Sequence, residues 1–124
     1  MMATLFQVAA GGALGATLRF LVNATALRLF GAAFPIGTMT VNVAGSVLMG
    51  VCAAVLLERS LAPQLAPFLM TGVLGGFTTF SAFSLDAIAL AEQGEAVRAV
   101  IYVSLSVALS LLGLVAGLAV GRGF

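Results

Sequence analysis

The centre of the chain, residues 72–84, reads Gly-Val-Leu-Gly-Gly-Phe-Thr-Thr-Phe-Ser-Ala-Phe-Ser. It carries no charge and lies inside a longer uncharged run, residues 60–85. That run exceeds the ~20 residues that a helix needs to cross the hydrocarbon core of a bilayer. Adjacent glycines followed by two β-branched threonines nevertheless form helix poorly. The stretch therefore predicts a membrane-spanning helix that is broken near its middle.

The rest of the chain also indicates a lipid environment. Of its 124 residues, 62% are hydrophobic and 7% are charged, whereas soluble domains have about 25% charged residues. The uncharged runs 29–57 and 99–121 can each cross a bilayer, and residues 1–27 can do so if Arg19 is tolerated within the span. We expect an all-α integral membrane protein whose single transmembrane domain covers residues 1–124. Its four predicted spans are about 4–29, 35–57, 64–91 and 96–121.

The residue inventory excludes several classes of function. There is no histidine and only one cysteine, Cys52, so a disulfide framework, a zinc site and histidine-based catalysis are excluded. Five basic and four acidic residues leave no basic surface for nucleic acid. No pair of nucleophile and base can be assembled, so we do not expect an enzyme.

The arginines give no orientation signal. With four spans, Arg59 and Arg122 lie on one side of the membrane, and Arg28 and Arg98 lie on the other. Orientation normally follows an excess of basic residues in cytoplasmic loops. Either a weaker signal orients the chain, or both orientations insert and two opposed copies assemble. Four thin helices are too few to enclose a polar path alone, which favours an oligomer.

Polar side chains recur at helical spacing in three spans, and buried polar groups in a membrane are candidates for function. The three stripes are Gly11, Gly15, Arg19 and Asn23; Thr38, Asn42 and Ser46; and Tyr102, Ser106 and Ser110. In the first stripe, Gly11 and Gly15 have no side chain and predict a close approach to another helix. Each stripe has a structural alternative. Arg19 can bond neighbouring carbonyls, Asn42 can join two helices, and a serine can bond back to its own helix.

The broken span adds an aromatic pattern. Phe77, Phe80 and Phe83 are three residues apart, which predicts that they share one helix face. They form either a packing stripe or, with the hydroxyls between them, part of an ion path. Backbone that unwinds within a membrane must be buried or line a cavity, and its freed carbonyls can hold a cation.

The central motif resembles the signature of the CrcB/Fluc fluoride channels. Residues 75–84, Gly-Gly-Phe-Thr-Thr-Phe-Ser-Ala-Phe-Ser, carry the resemblance most specifically. It extends through nearly the whole chain, over Gly11-Gly12 to Arg19, Gly37-Thr38 to Asn42, Gly45, Gly50 and the serine of the fourth span. The resemblance implies a passive fluoride channel in the bacterial inner membrane. It also implies an antiparallel, dual-topology homodimer with two pores and a structural sodium ion at its centre.

The resemblance also assigns residues. It implies that the carbonyls of Gly75 and Thr78 bind sodium, and that Phe80 and Phe83 line the fluoride pore. It places Asn42 and Ser110 in the same pathway. Because fluoride is strongly hydrated, a pore must replace its water with other donors. Asn42 and the hydroxyls of Thr79, Ser106 and Ser110 can supply them, while the positive edges of aromatic rings attract an anion.

Two residues receive a supporting role instead. An arginine fixed in the pore would hold fluoride too tightly for conduction, so Arg19 is expected at a vestibule or as structural support. Tyr102 is likewise expected at a vestibule or as structural support.

Two other functions fit the general features of the chain. A small four-helix exporter of the multidrug-resistance type also has dual topology, but its mechanism requires a deep carboxylate. The first span has none, and Asp86 lies near the end of the third. A purely structural membrane subunit would explain the glycine spacings but not the donor stripes.

Overall fold

The computed structural model describes residues 1–123, which form an all-helical protein. The helices are α1 (Met2–Phe30), α2 (Ile36–Glu58), α3 (residues 63–77), α4 (Phe80–Glu92) and α5 (Ala96–Gly123). They make four segments that are long and apolar enough to cross a membrane, because α3 and α4 together form the third. The four predicted spans are therefore present.

Two of the helices are partly wound as π-helix. The last turns of α2, Ala53–Glu58, and the central part of α3, Pro67–Leu74, have this wider winding. Glycines with positive φ angles stand in the connections that follow α1 and α4, +77° at Gly31 and +80° at Gly94. Glycine adopts this left-handed backbone without a steric penalty, which suits the tight connections to α2 and α5.

Glycines bring the first and third spans into backbone contact. A Cβ atom on Gly11 would lie 2.9 Å from the Cα of Gly72, and one on Gly15 would lie 2.8 Å from the nitrogen of Phe77. Residue numbers increase in the same direction along both helices at successive contacts, so α1 and α3 run parallel. The predicted role of Gly11 and Gly15 in close helix packing is confirmed.

The second and fourth spans pack in the same way. A Cβ atom on Gly117 would fall on the backbone of Val47, and one on Gly121 would lie 2.7 Å from the Cβ of Ala54. These helices are also parallel. Their close approach leaves α2 between α1 and α5, and it brings polar residues of α2 and α5 to a common groove.

Electrostatic contacts join the last turn of α5 to the connection after α2. Arg122 makes two 2.8 Å hydrogen bonds to the carboxylate of Glu58. Arg59 donates through Nη1 to the carbonyl oxygen of Gly121 over 3.1 Å. A cation at the C-terminal end of a helix compensates its exposed carbonyls, so these contacts hold the ends of the second and fourth spans together.

Candidate functional site at the helix break

The third span is interrupted at Thr78 and Thr79. Their backbone is extended, with φ and ψ of −87° and 157° at Thr78 and −152° and 120° at Thr79. The break lies in the middle of the segment Pro63–Glu92, as predicted from the glycines and threonines. An extended pair of residues removes several helical hydrogen bonds, so the freed groups need other partners.

Asn42 supplies two of these bonds from α2. Its Oδ1 accepts the N–H of Thr79 over 2.7 Å, and its Nδ2 donates to the carbonyl oxygen of Thr79 over 3.0 Å. The side chain thus pairs with both polar groups of one residue. Asn42 thus joins two helices, the structural alternative considered from the sequence. The second N–H of its amide remains available to another acceptor.

The side chain of Thr78 is held by the preceding turn of α3 and by α2. Its Oγ1 and its backbone N–H both donate to the carbonyl oxygen of Leu74, over 2.9 and 3.0 Å. Its methyl group lies against Gly45, where a Cβ atom would fall on it. The side chain therefore fixes the turn, and the backbone oxygen of Thr78 is left to bind a ligand.

The carbonyls of Gly75 and Thr78 have the chemistry required by the sodium site that the family resemblance implies. Within residues 1–123, no N–H donates to either oxygen. Gly75 is also exposed on the surface of the single chain. Unpaired backbone oxygens are suitable ligands for a hard monovalent cation, and unwound helices bind sodium in this way. These two oxygens could therefore hold one.

A groove of about 350 Å³ lies beside the break, between α2, α4 and α5. It contains all six residues predicted for the ion pathway. Its walls are Asn42, Gly45, Ser46, Met49, Thr78, Thr79, Phe80, Phe83, Ser106, Val107, Ser110, Leu111 and Leu114. The structure thus brings together residues from three spans that are far apart in the sequence.

The hydroxyls in this groove differ in how they are used. Ser46 donates back to the carbonyl of Asn42 over 2.7 Å, and Thr79 Oγ1 accepts the N–H of Ala82 over 3.1 Å. Ser106 is only 4% exposed, yet its Oγ has no hydrogen-bond partner among the described residues. An unpaired buried hydroxyl is unfavourable unless something else occupies the site. Its proton is available to a ligand in the groove.

Two of the three phenylalanines line the groove. Phe80 and Phe83 have ring centroids 5.6 Å apart with planes tilted by 47°. The prediction that Phe77 shares their helix face is wrong, because the break separates it from them. Phe77 instead lies beside Gly45 and Gly15, where α1 and α2 approach α3.

Arg19 and Tyr102 both lie outside the groove. Arg19 donates from Nε to the carbonyl oxygen of Gly76 over 3.0 Å. Tyr102 is fully buried, and its hydroxyl donates to Asp86 Oδ2 over 3.1 Å. Its ring packs 5.2 Å from that of Phe83. Both residues thus support groups that border the groove or the break.

Three groove residues on α2 were not predicted as part of the pathway: Gly45, Ser46 and Met49. Ser46, one turn beyond Asn42, already stands on the polar stripe of the second span, and the same spacing could have found Met49, two turns beyond Asn42. Gly45 gives no chemical signal, because what it contributes is room for the methyl group of Thr78.

Comparison with known proteins supplies the family. Residues 6–118 match the family described as CrcB-like protein, Camphor Resistance (CrcB). A relative from Cereibacter sphaeroides is 61% identical over 124 residues, which cover all of this chain and 98% of the relative. One from Paracoccus denitrificans is 56% identical over 97% of this chain and 95% of its own length. One from Rhizobium meliloti is 53% identical over 93% of both chains.

All three relatives are named fluoride-specific ion channel FluC. The match to the family covers most of the chain, including the break, the groove and most of each of the four spans. The helices, the interrupted third span and the sequence matches agree, and the chain belongs to the CrcB family.

Proposed function

We propose that this protein is a passive, fluoride-selective channel and that the groove is one wall of its pore. Relatives that match this chain over nearly their whole length are named fluoride-specific ion channel. The observation that carries the proposal is the buried hydroxyl of Ser106, which has no protein partner and faces a groove lined by further donors. Fluoride is a compact and strong hydrogen-bond acceptor, so it suits such a hydroxyl.

The groove can replace the water around fluoride step by step. Ser106 and Ser110 are one turn apart on α5, and Asn42 on α2 and Thr79 at the break line the same groove with a free amide N–H and a hydroxyl. None of these donors is charged. Neutral donors bind an anion weakly enough to release it, as conduction requires.

The aromatic rings complement these donors. Phe80 and Phe83 border the same groove, and the edge of an aromatic ring carries partial positive charge. The N-terminal end of α4 begins at Phe80, and the dipole of a helix favours an anion there. An anion beside Phe80 and Phe83 would therefore meet positive potential without a full positive charge.

The groove needs a second copy to become a closed pore. In the single chain Phe80 is 78% exposed and Gly75 is also uncovered. We propose that a second, oppositely oriented protomer covers them, since the balanced arginines allow both orientations. Each protomer would contribute one groove, so that the antiparallel homodimer has two pores.

A sodium ion would have a structural role at the centre of that dimer. Bound there, it would supply positive charge beside the C-terminal end of α3, where a helix favours a cation. The carbonyls of Gly75 and Thr78 from both protomers would hold it with four oxygens. These residues bind and orient, and they take no part in any chemical reaction.

The physiological role follows from passive conduction. A multi-pass channel in the bacterial inner membrane would let fluoride leave the cytoplasm down its electrochemical gradient. No energy source is required, which agrees with the absence of a carboxylate in α1.

Ion efflux from liposomes tests this function. Purified protein is reconstituted into vesicles loaded with fluoride or chloride, and release is followed with an electrode selective for each ion. We expect rapid fluoride release and retention of chloride. Release of both ions would refute selectivity, and release of neither would leave only a structural subunit.

A further inference from the structure

The carbonyl of Gly76 receives its hydrogen bond from another helix. In a continuous helix this oxygen would accept the N–H of Phe80, but within residues 1–123 no such bond forms. Arg19 Nε, from α1, donates to it over 3.0 Å instead. The guanidinium therefore replaces a helical bond that the break removes.

The two adjacent glycines differ in their surroundings. A Cβ atom on Gly76 would lie 2.7 Å from the carbonyl oxygen of Gly12 and 3.1 Å from the nitrogen of Ala16, so Gly76 is packed against α1. A Cβ atom on Gly75 would meet only the oxygen of Met70, at 3.5 Å. Packing on α1 thus places Gly76, and not Gly75, within reach of the arginine.

We infer that Arg19 is a positioning residue for the cation site: by bonding to Gly76, it holds the break open and leaves the carbonyls of Gly75 and Thr78 free for sodium. The inference rests on the proposed function, of which that sodium site is part. Without the guanidinium, the Gly76 oxygen would lack a partner. The chain could then regain the bond by continuing the helix, and Thr79 N–H would return to Gly75. The oxygen needed for the cation would be lost.

A purely electrostatic role for Arg19 predicts the opposite effect. Among the described residues, no carboxylate forms an ion pair with this guanidinium. Its positive charge would repel a nearby cation, so its removal would tighten sodium binding. Loss of positioning would weaken it. The direction of the change in sodium affinity therefore separates the two roles.

The experiment measures thermal stability against sodium concentration. Wild type and Arg19→Met are purified in detergent, and their melting temperatures are recorded while sodium replaces N-methylglucamine at constant ionic strength. For Arg19→Met we expect the midpoint in sodium concentration to rise about tenfold, equivalent to ~1.4 kcal/mol. Saturating sodium should restore most of the lost melting temperature. An unchanged or lower midpoint overturns the inference.

Arg28→Met is the matched control. Arg28 lies in the last turn of the same helix, is exposed, and within residues 1–123 donates no hydrogen bond to the break. Its removal makes the same charge change, and the sodium midpoint should stay at the wild-type value. A tenfold rise in this control as well would assign the effect to a general loss of stability and overturn the inference.

A second variant covers failure of Arg19→Met to fold. Arg19→Lys keeps the charge but loses the planar guanidinium and its Nε donor. The same rise in the sodium midpoint is expected, and an unchanged midpoint refutes the positioning role. Fluoride efflux from wild-type protein is measured in parallel. If wild type conducts and responds to sodium while the variants keep its midpoint, only this inference fails. If wild type does not conduct, the proposed function fails first.

Discussion

Replacing the two groove phenylalanines by isoleucine separates a role in conduction from a role in packing. The change removes the aromatic quadrupole and keeps an apolar side chain of similar bulk. Phe80 is 78% exposed in the single chain and has one aromatic neighbour, Phe83. Phe83 is only 8% exposed and contacts two rings, those of Phe80 and Tyr102.

The magnitudes follow from these contacts. An aromatic pair contributes about 0.5–1.5 kcal/mol beyond its buried area. Phe80→Ile loses one such pair and Phe83→Ile loses two, so the loss of stability should be about twice as large for the second variant. If the ring edges replace part of the hydration of fluoride, removing them raises the free-energy barrier to conduction. A rise of ~3 kcal/mol slows conduction about 100-fold.

The assay combines fluoride efflux from liposomes with gel filtration of the same preparation. We expect Phe80→Ile to conduct about 100-fold more slowly while it elutes as the wild-type protein does. Phe68→Ile is the control, because Phe68 lies on α3 outside the groove, and it should conduct normally. Normal fluoride flux in both groove variants would refute the reasoning, and the hydroxyls alone would then have to carry the ion.

Three further substitutions test other parts of the structure. Ser106→Ala should slow fluoride efflux yet raise the melting temperature, because it removes a buried hydroxyl without a partner, which destabilises the fold by about 1–3 kcal/mol. Ser104 is exposed on the same helix, so Ser104→Ala should change neither quantity. Full efflux from Ser106→Ala would contradict its role. Gly15→Ala should prevent assembly of the folded protein, since its Cβ would strike the backbone of α3. Gly12 has open space around it, so Gly12→Ala should elute normally in gel filtration. Equal elution of the two variants would show that the contact between Gly15 and α3 is unimportant. Two lysines added to the Gly31–Phe34 connection should force one orientation and abolish flux, and co-expression with a variant carrying lysines in the α2–α3 connection should restore it. Full activity of the first variant alone would refute dual topology.

Local sequence properties were enough to predict the spans and the break. Hydropathy acts on each segment separately, so uncharged runs such as 99–121 predict a crossing whatever their neighbours are. The interruption at Thr78 and Thr79 also has a local cause, since glycines and β-branched residues weaken a helix where they stand. The spacing of Gly11 and Gly15 predicted a close contact for the same reason, although not the helix that they meet.

Only the tertiary structure decided which polar groups stay free. Asn42 and Thr79 are 37 residues apart, and Arg19 and Gly76 are 57 apart. No spacing rule within one helix could pair them. Ser46 and Ser106 carry the same hydroxyl on stripes of the same kind, yet only Ser46 bonds back to its own helix. Whether a donor forms a hydrogen bond within the protein depends on which atoms the packed helices bring within about 3 Å of it. That distance is set by the glycine contacts between spans rather than by the sequence around the donor.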